Sequence, residues 1–214
     1  LQQIPQVASV RYMTHFPCAD DLANPDTREQ INAFNRATAA VTGEHSLANS
    51  AGLLGWPAAR ADWVRPGIML YGSSPLGGRT AASLGLQPVM TLSTRLIAVN
   101  TRKQGDAIGY GGDWRCPSDM SVGVAAIGYG DGYPRHAPSG TPLRVNGHAT
   151  SLVGRVSMDM ITVDLAEVPN AQVGDEVVLW GEGVPVDEVA ASATTISYEL
   201  FCGVGSRVQF DYCT

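Results

Sequence analysis

The spacing of apolar residues changes its period near residue 85, and that change limits what this chain can fold into. Before it, strand-like runs alternate with a helical one. Residues 8–16 are rich in β-formers and end in polar groups. Asn24-Pro25 offers an N-cap followed by proline at the first helical position. Thr27 and Gln30 fit a capping box for an alternative start two residues on. Ile31, Phe34, Ala37 and Val41 recur at helical spacing, and Gly43 follows as a stop. Short β-like runs come next at 46–48 and 67–71. This alternation predicts βαβ units and a parallel sheet. The segment has room for about three such units, whereas a closed barrel of eight takes roughly 250 residues.

After the change the pattern is antiparallel. Runs at 90–100, 121–127, 143–145, 149–153, 156–165 and Glu176–Trp180 read as strands. Asn146-Gly147 between two of them is a strong two-residue hairpin signal. Gly105-Asp106 and Gly174-Asp175 mark further turns. Short helices are expected at 186–193 and at 196–201, the second capped by Thr195. The expected fold is α/β plus β: residues 1–84 as the last part of an α/β barrel, and residues 85–214 as a mainly antiparallel β-domain.

Composition excludes some partners. A net charge of −6 disfavours nucleic acid and anionic membrane surfaces, both of which call for basic patches. No apolar run approaches the ~20 residues of a membrane span. Cys18, Cys116, Cys202 and Cys213 have no C-x-x-C spacing and fit reduced thiols in a cytoplasmic protein. His15, His45, His136 and His148 show no ligand spacing, so no metal is expected. The first residue is Leu1, so an upstream targeting segment would not be seen.

Functional groups of an α/β barrel gather where strands end at the carboxyl face. His15 closes the first strand, Asn49-Ser50 follows the second, and residues 65–68 surround the third. The Ser50 hydroxyl with the backbone N–H groups of Gly67 and Ile68 can cradle a phosphate, since a missing Cβ lets an anion reach the backbone. In the second half, Ile127-Gly128-Tyr129-Gly130-Asp131-Gly132-Tyr133 follows an apolar strand and leads to Pro134, not to a helix. That excludes a nucleotide loop. The turn is expected to display its tyrosines, with His15 and Arg65 as cations able to support a phenolate if the halves or two subunits meet. Tyr110, in Gly109-Tyr110-Gly111-Gly112, reads as structural.

Trp63-Val64-Arg65-Pro66-Gly67-Ile68-Met69-Leu70-Tyr71-Gly72, the glycine-rich tyrosine turn and Gly154-Arg155-Val156-Ser157-Met158-Asp159 together resemble the C-terminal portion of bacterial alanine racemases. The likeness runs from Met13-Thr14-His15-Phe16 to Ser206-Arg207-Val208. It implies a pyridoxal-phosphate enzyme that interconverts L- and D-alanine with two bases, one on each face of the α-carbon. Tyr129 would be one base and Met158 would meet the substrate carboxylate through its backbone. Arg65 would bond the pyridine nitrogen with His15 beside it, and Asn49, Ser50, Gly67, Ile68 and Tyr198 would hold the phosphate. A head-to-tail homodimer follows, with Tyr129 and Met158 entering the partner's site.

The same resemblance requires a lysine joined covalently to the cofactor. Lys103, the only lysine, precedes a Gly-Asp turn and reads as a solvated surface residue. The lysine segment, its accompanying tyrosine and a substrate-binding arginine are therefore expected upstream of residue 1, leaving this chain inactive alone. A racemase of broader specificity and a non-catalytic dimerisation or binding module are the rival expectations.

Overall fold

The computed structural model describes residues 4–212, so Cys213 lies outside it. The chain divides into two compact units, Leu1–Gln87 and Pro88–Thr214.

The first unit is built on three short strands, β1 (Arg11–Met13), β2 (Glu44–Asn49) and β3 (Trp63–Arg65), parallel and in that order. Helix α1 (Asp26–Thr38) links β1 to β2, and α2 (Ser50–Gly55) follows β2 directly. Phe16, Ile31, Leu47, Ala48, Ala51 and Trp56 form the buried core beneath them. The start of α1 differs from expectation. Asn24 Oδ1 accepts from Asp26 N–H at 2.9 Å, but no capping box forms. Thr27 is buried, and the Gln30 amide instead donates to Thr14 Oγ1 at 2.7 Å and to the His15 carbonyl at 2.9 Å. The buried face of α1 is Thr27, Ile31 and Thr38; Ala37 and Val41 are exposed, and the helix stops before Gly43. The expected strand at 67–71 is also displaced. Pairing with β2 ends at Arg65, and Ile68–Tyr71 coils into a 3-10 turn closed by Gly72 in the left-handed region.

The strand starts are tied together at one end of this sheet. Glu44 Oε2 accepts from Arg11 Nε at 2.6 Å and from Trp63 Nε1 at 2.9 Å, while the Arg11 guanidinium lies over the Trp63 ring. These two bonds, Arg11 first, hold the Glu44 carboxyl below its usual range. The opposite, carboxyl end is left to the functional groups.

The second unit is a closed barrel. Its strands are β4 (Leu92–Arg102), β7 (Met120–Ala125), β8 (Pro142–Val145), β9 (His148–Val153), β10 (Ile161–Asp164) and β11 (Glu176–Trp180). They close in the order β10-β7-β4-β11-β8-β9, each neighbouring pair antiparallel, which leaves no barrel edge for another chain to extend. Alternation does the sorting: Val177 and Leu179 on β11, and Leu143 and Val145 on β8, point into the core. Asn146 and Gly147 both take positive φ in the hairpin between β8 and β9, the geometry of a tight turn matched to strand twist.

Three features differ from the sequence pattern. A small ribbon, β5 (Ala107–Ile108) with β6 (Trp114–Arg115), stands outside the barrel. The run at 156–165 is a strand only from Ile161, because residues 156–160 turn aside to bond other loops. Helix α3 (Val186–Ser192) is followed by α4 (Ser197–Gly203), whose expected cap Thr195 bonds the Glu199 side chain; no side chain caps α4.

Candidate active site

The parallel sheet brings Thr14-His15, Asn49-Ser50 and Arg65 to one edge, where β1, β2 and β3 end. Arg65 is half-buried there and strongly fixed. Its Nη1 donates to Ser46 Oγ, and its Nη2 to the carbonyls of Thr14 at 2.7 Å and Leu47 at 3.3 Å. His15 Nδ1 lies 3.4 Å from the same nitrogen. Two carbonyls and a hydroxyl therefore orient a planar cation that still has N–H donors on Nε and Nη1 for an acceptor outside.

Asn49 and Ser50 form the neighbouring turn. Asn49 caps α2, its Oδ1 accepting from Gly52 N–H at 2.9 Å, while its Nδ2 donates to the Phe16 carbonyl at 3.2 Å. Both ends of this side chain are spoken for, so Asn49 shapes the turn. Gly67 N–H donates to Ser50 Oγ at 2.8 Å, so it is not turned outward in the way phosphate binding would need. The Ser50 hydroxyl proton stays available as a donor, since a hydroxyl accepts and donates together. A side chain on Gly67 would reach only Ser50 Oγ, at 4.0 Å. The space before the backbone is open, so Gly67 leaves room for an anion rather than donating to it, and with that room Ser50, Ile68 and Arg65 fit a phosphorylated ring cofactor.

In the second unit the loop at 154–159 gathers two tyrosine turns. Tyr129 N–H donates to the Ser157 carbonyl at 3.0 Å, and Gly130 N–H to the Met158 carbonyl at 2.8 Å. A Cβ on Gly128 would sit 2.3 Å from the Ser157 carbonyl, so only glycine allows this approach. Met158 itself is exposed. The other turn holds Tyr110. Gly109, Gly111 and Gly112 all have positive φ, and a Cβ on Gly109 would lie 2.9 Å from Arg155 N. Arg155 closes back on this turn through an ion pair with Asp113.

These positions correct one expectation. Tyr133 is not displayed: it is 1% exposed, stacks on Trp180 in the barrel core, and burial pushes its phenol far above the ordinary range. Tyr110, read from the sequence as structural, is 69% exposed, against 41% for Tyr129. The signal for Tyr110 was the set of three glycines around it, which let a turn lift one side chain clear. Tyr198 lies exposed in the first turn of α4.

Lys103 is tied to the surface. Its Nζ bonds Asp119 Oδ2 at 2.7 Å, and its N–H donates to Asp106. The ammonium, followed by Gln104 N–H, holds the Asp119 carboxyl below its usual range. Any stability from this pair is present above the ordinary carboxylate pKa and is lost as pH falls through the lowered one. The pair is so exposed that Lys103→Met should leave the thermal midpoint essentially unchanged.

Residues 1–75 match the family model for the alanine racemase N-terminal domain, and residues 89–212 that for the C-terminal domain. The chain is 60% identical over 210 residues to the alanine racemase of Thioalkalivibrio sulfidiphilus, covering 98% of this chain and 58% of that protein. Against the alanine racemase of Aeromonas hydrophila it is 56% identical, covering 94% of this chain and 56% of that protein. The biosynthetic alanine racemase of Pseudomonas aeruginosa superposes with a TM-score of 0.97 at 46% identity, covering all of this chain and 60% of that one. The alanine racemase of Bartonella henselae, solved with covalently bound pyridoxal phosphate, superposes with a TM-score of 0.82 at 30% identity, covering 92% of this chain and 55% of that one. The chain thus spans less than two thirds of the length of these relatives. No helix among the described residues is long and apolar enough to cross a membrane. On the two domain matches and these identities, the chain belongs to the alanine racemase family.

Proposed function

We propose that the whole protein interconverts L- and D-alanine with pyridoxal phosphate, and that this chain carries the ring-nitrogen partner, most of the phosphate cradle and one of the two bases. The observation that carries the reading is the Arg65 guanidinium, fixed by backbone carbonyls at the sheet's carboxyl end beside His15 and Ser50. The three-stranded parallel sheet is on this reading the last part of an α/β barrel. When bound, pyridoxal phosphate supplies an electron sink for the pair left by the departing α-proton.

The chain's own residues do the rest. Arg65 would donate a hydrogen bond to the ring nitrogen without giving up its proton, which would leave the cofactor a weak sink. That restrains side reactions such as transamination. Ser50 O–H, with the Gly67–Ile68 turn, would hold the phosphate. Met158 presents backbone to the substrate carboxylate. A tyrosine exchanges the proton on one face of the α-carbon. Two candidates share the 154–159 loop, Tyr129 and Tyr110, and Tyr110 is the better placed. Its turn holds one guanidinium, Arg155, to one carboxylate, Asp113, whereas the Tyr129 turn meets two carboxylates, Asp131 and Asp159, and one guanidinium, Arg207. A phenol that must hold negative charge between proton transfers is better served by the balanced setting. In a head-to-tail homodimer, Tyr110, Tyr129 and Met158 would serve the partner's cofactor.

The cofactor lysine is proposed to come from outside residues 1–214, since Lys103 is committed to Asp119. Residues 1–214 by themselves should therefore make no D-alanine. Mixed with the segment that its relatives have in addition, they should regain cofactor absorbance and racemise alanine. D-alanine from residues 1–214 alone overturns the lysine assignment. Neither absorbance nor racemisation after mixing favours a non-catalytic binding module.

A further inference from the structure

Three segments far apart in sequence meet at one guanidinium. Arg207 Nε lies 3.1 Å from Asp131 Oδ1, in the Tyr129 turn, and its Nη2 lies 2.6 Å from Asp159 Oδ1, next to Met158. Asp131 is the firm end of this arrangement. Its side chain is only 13% exposed, its other oxygen accepts from Gly128 N–H at 2.9 Å, and its carbonyl accepts from Gly205 N–H at 2.8 Å. The third guanidinium nitrogen lies where a side chain on Gly130 would be, 2.9 Å from an added Cβ. Beside the two backbone bonds from Tyr129 N–H to the Ser157 carbonyl and from Gly130 N–H to the Met158 carbonyl, one cation therefore braces the Tyr129 turn against the Met158 loop. Lysine cannot copy this, because a single ammonium is a point charge while guanidinium presents separated donors in a rigid plane.

We propose that Arg207 is a positioning residue: it holds the Tyr129 turn and the Met158 loop at the separation that substrate binding needs. This rests on the racemase reading for its consequence, but not for its geometry. The two ends of the clamp differ in a way that shapes the test. Asp159 and Arg207 are 54% and 53% exposed, so this pair adds little to global stability. A residue kept only for stability would show its loss in the unfolding midpoint. A positioning residue shows it in the geometry of the loop and in substrate affinity.

The test uses the whole protein with Arg207→Met, Arg207→Lys and Asp159→Asn. Hydrogen exchange of the backbone amides in 128–131 and 157–160 should accelerate in both segments together in Arg207→Met, while Asp159→Asn, which breaks only the exposed pair, should leave the thermal midpoint little changed. KM for alanine should rise more than kcat falls, with kcat/KM down on the order of 10²-fold, the scale of a misplacement of about 1 Å. Asp159→Asn should release the Met158 segment more than the Tyr129 turn, and Arg207→Lys should recover only part of the loss. If Arg207→Met does not fold, the positioning role is read from the other two variants by the same exchange measurement. Unchanged exchange in both segments, or KM within twofold of wild type in all folded variants, overturns the proposal. A wild type that fails to racemise alanine overturns the racemase reading, while the exchange result still decides the clamp.

Discussion

In the whole protein, Tyr110→Phe should lower turnover of alanine by roughly 10²–10⁴-fold, the range that a positioned general acid or base contributes. Cofactor absorbance should stay, because the groups proposed to hold the cofactor are elsewhere in the chain, at Arg65, Ser50 and the Gly67 turn. Phenylalanine keeps the ring and removes only the oxygen proposed to exchange the proton. Tyr129→Phe should cost no more than about tenfold, the scale of one lost hydrogen bond. The effect should also be unequal between enantiomers when exchange of the α-proton with solvent is followed, since one tyrosine serves one face. If the large loss falls on Tyr129→Phe and Tyr110→Phe is mild, the base is Tyr129 and the charge comparison between the two turns has been misjudged.

Gly132→Ala should destabilise the barrel unit by about 3 kcal/mol or more, because left-handed strain and a backbone collision act together. Gly132 has φ of +107°, and an added Cβ would lie 2.1 Å from the Gly203 carbonyl oxygen and 2.6 Å from its carbon. Both are backbone atoms at the end of α4, so no side-chain rotation relieves the contact. Gly105→Ala is the control. It has φ of +87° with nothing within 4 Å of the added Cβ, leaving only the left-handed cost of about 1–2 kcal/mol. Urea unfolding of the two variants separates strain from collision. Equal midpoints would mean that α4 moves aside at no cost, and that the Tyr129 turn is less tightly held than its bonds indicate.

Local patterns were legible where one rule acts alone. Strand β11 matches its expected run, Glu176–Trp180, end to end, and the Asn146-Gly147 turn follows from two residues that accept positive φ. The hairpin needs nothing from elsewhere. Closure of six strands into a barrel does need it, because pairing β10 with both β7 and β9 depends on partners far away in sequence. The face of α1 was misjudged for a related reason. Thr27 and Thr38 are buried under neighbours that the helical period does not name, and Thr38 Oγ1 donates back to the Phe34 carbonyl. At the site, the glycine-rich turns were visible but not the direction of each ring. Tyr133 turned inward to stack on Trp180, while Tyr110 turned outward. Arg207 faces two carboxylates that only the fold brings to it.

The cofactor-dependent reaction is tested most directly by incubating the purified whole protein with L-alanine in heavy water. The expected result is D-alanine carrying deuterium at the α-carbon, formed by a protein with the absorbance of bound pyridoxal phosphate. Intact L-alanine and a protein without that absorbance would rule out the racemase and leave a binding module.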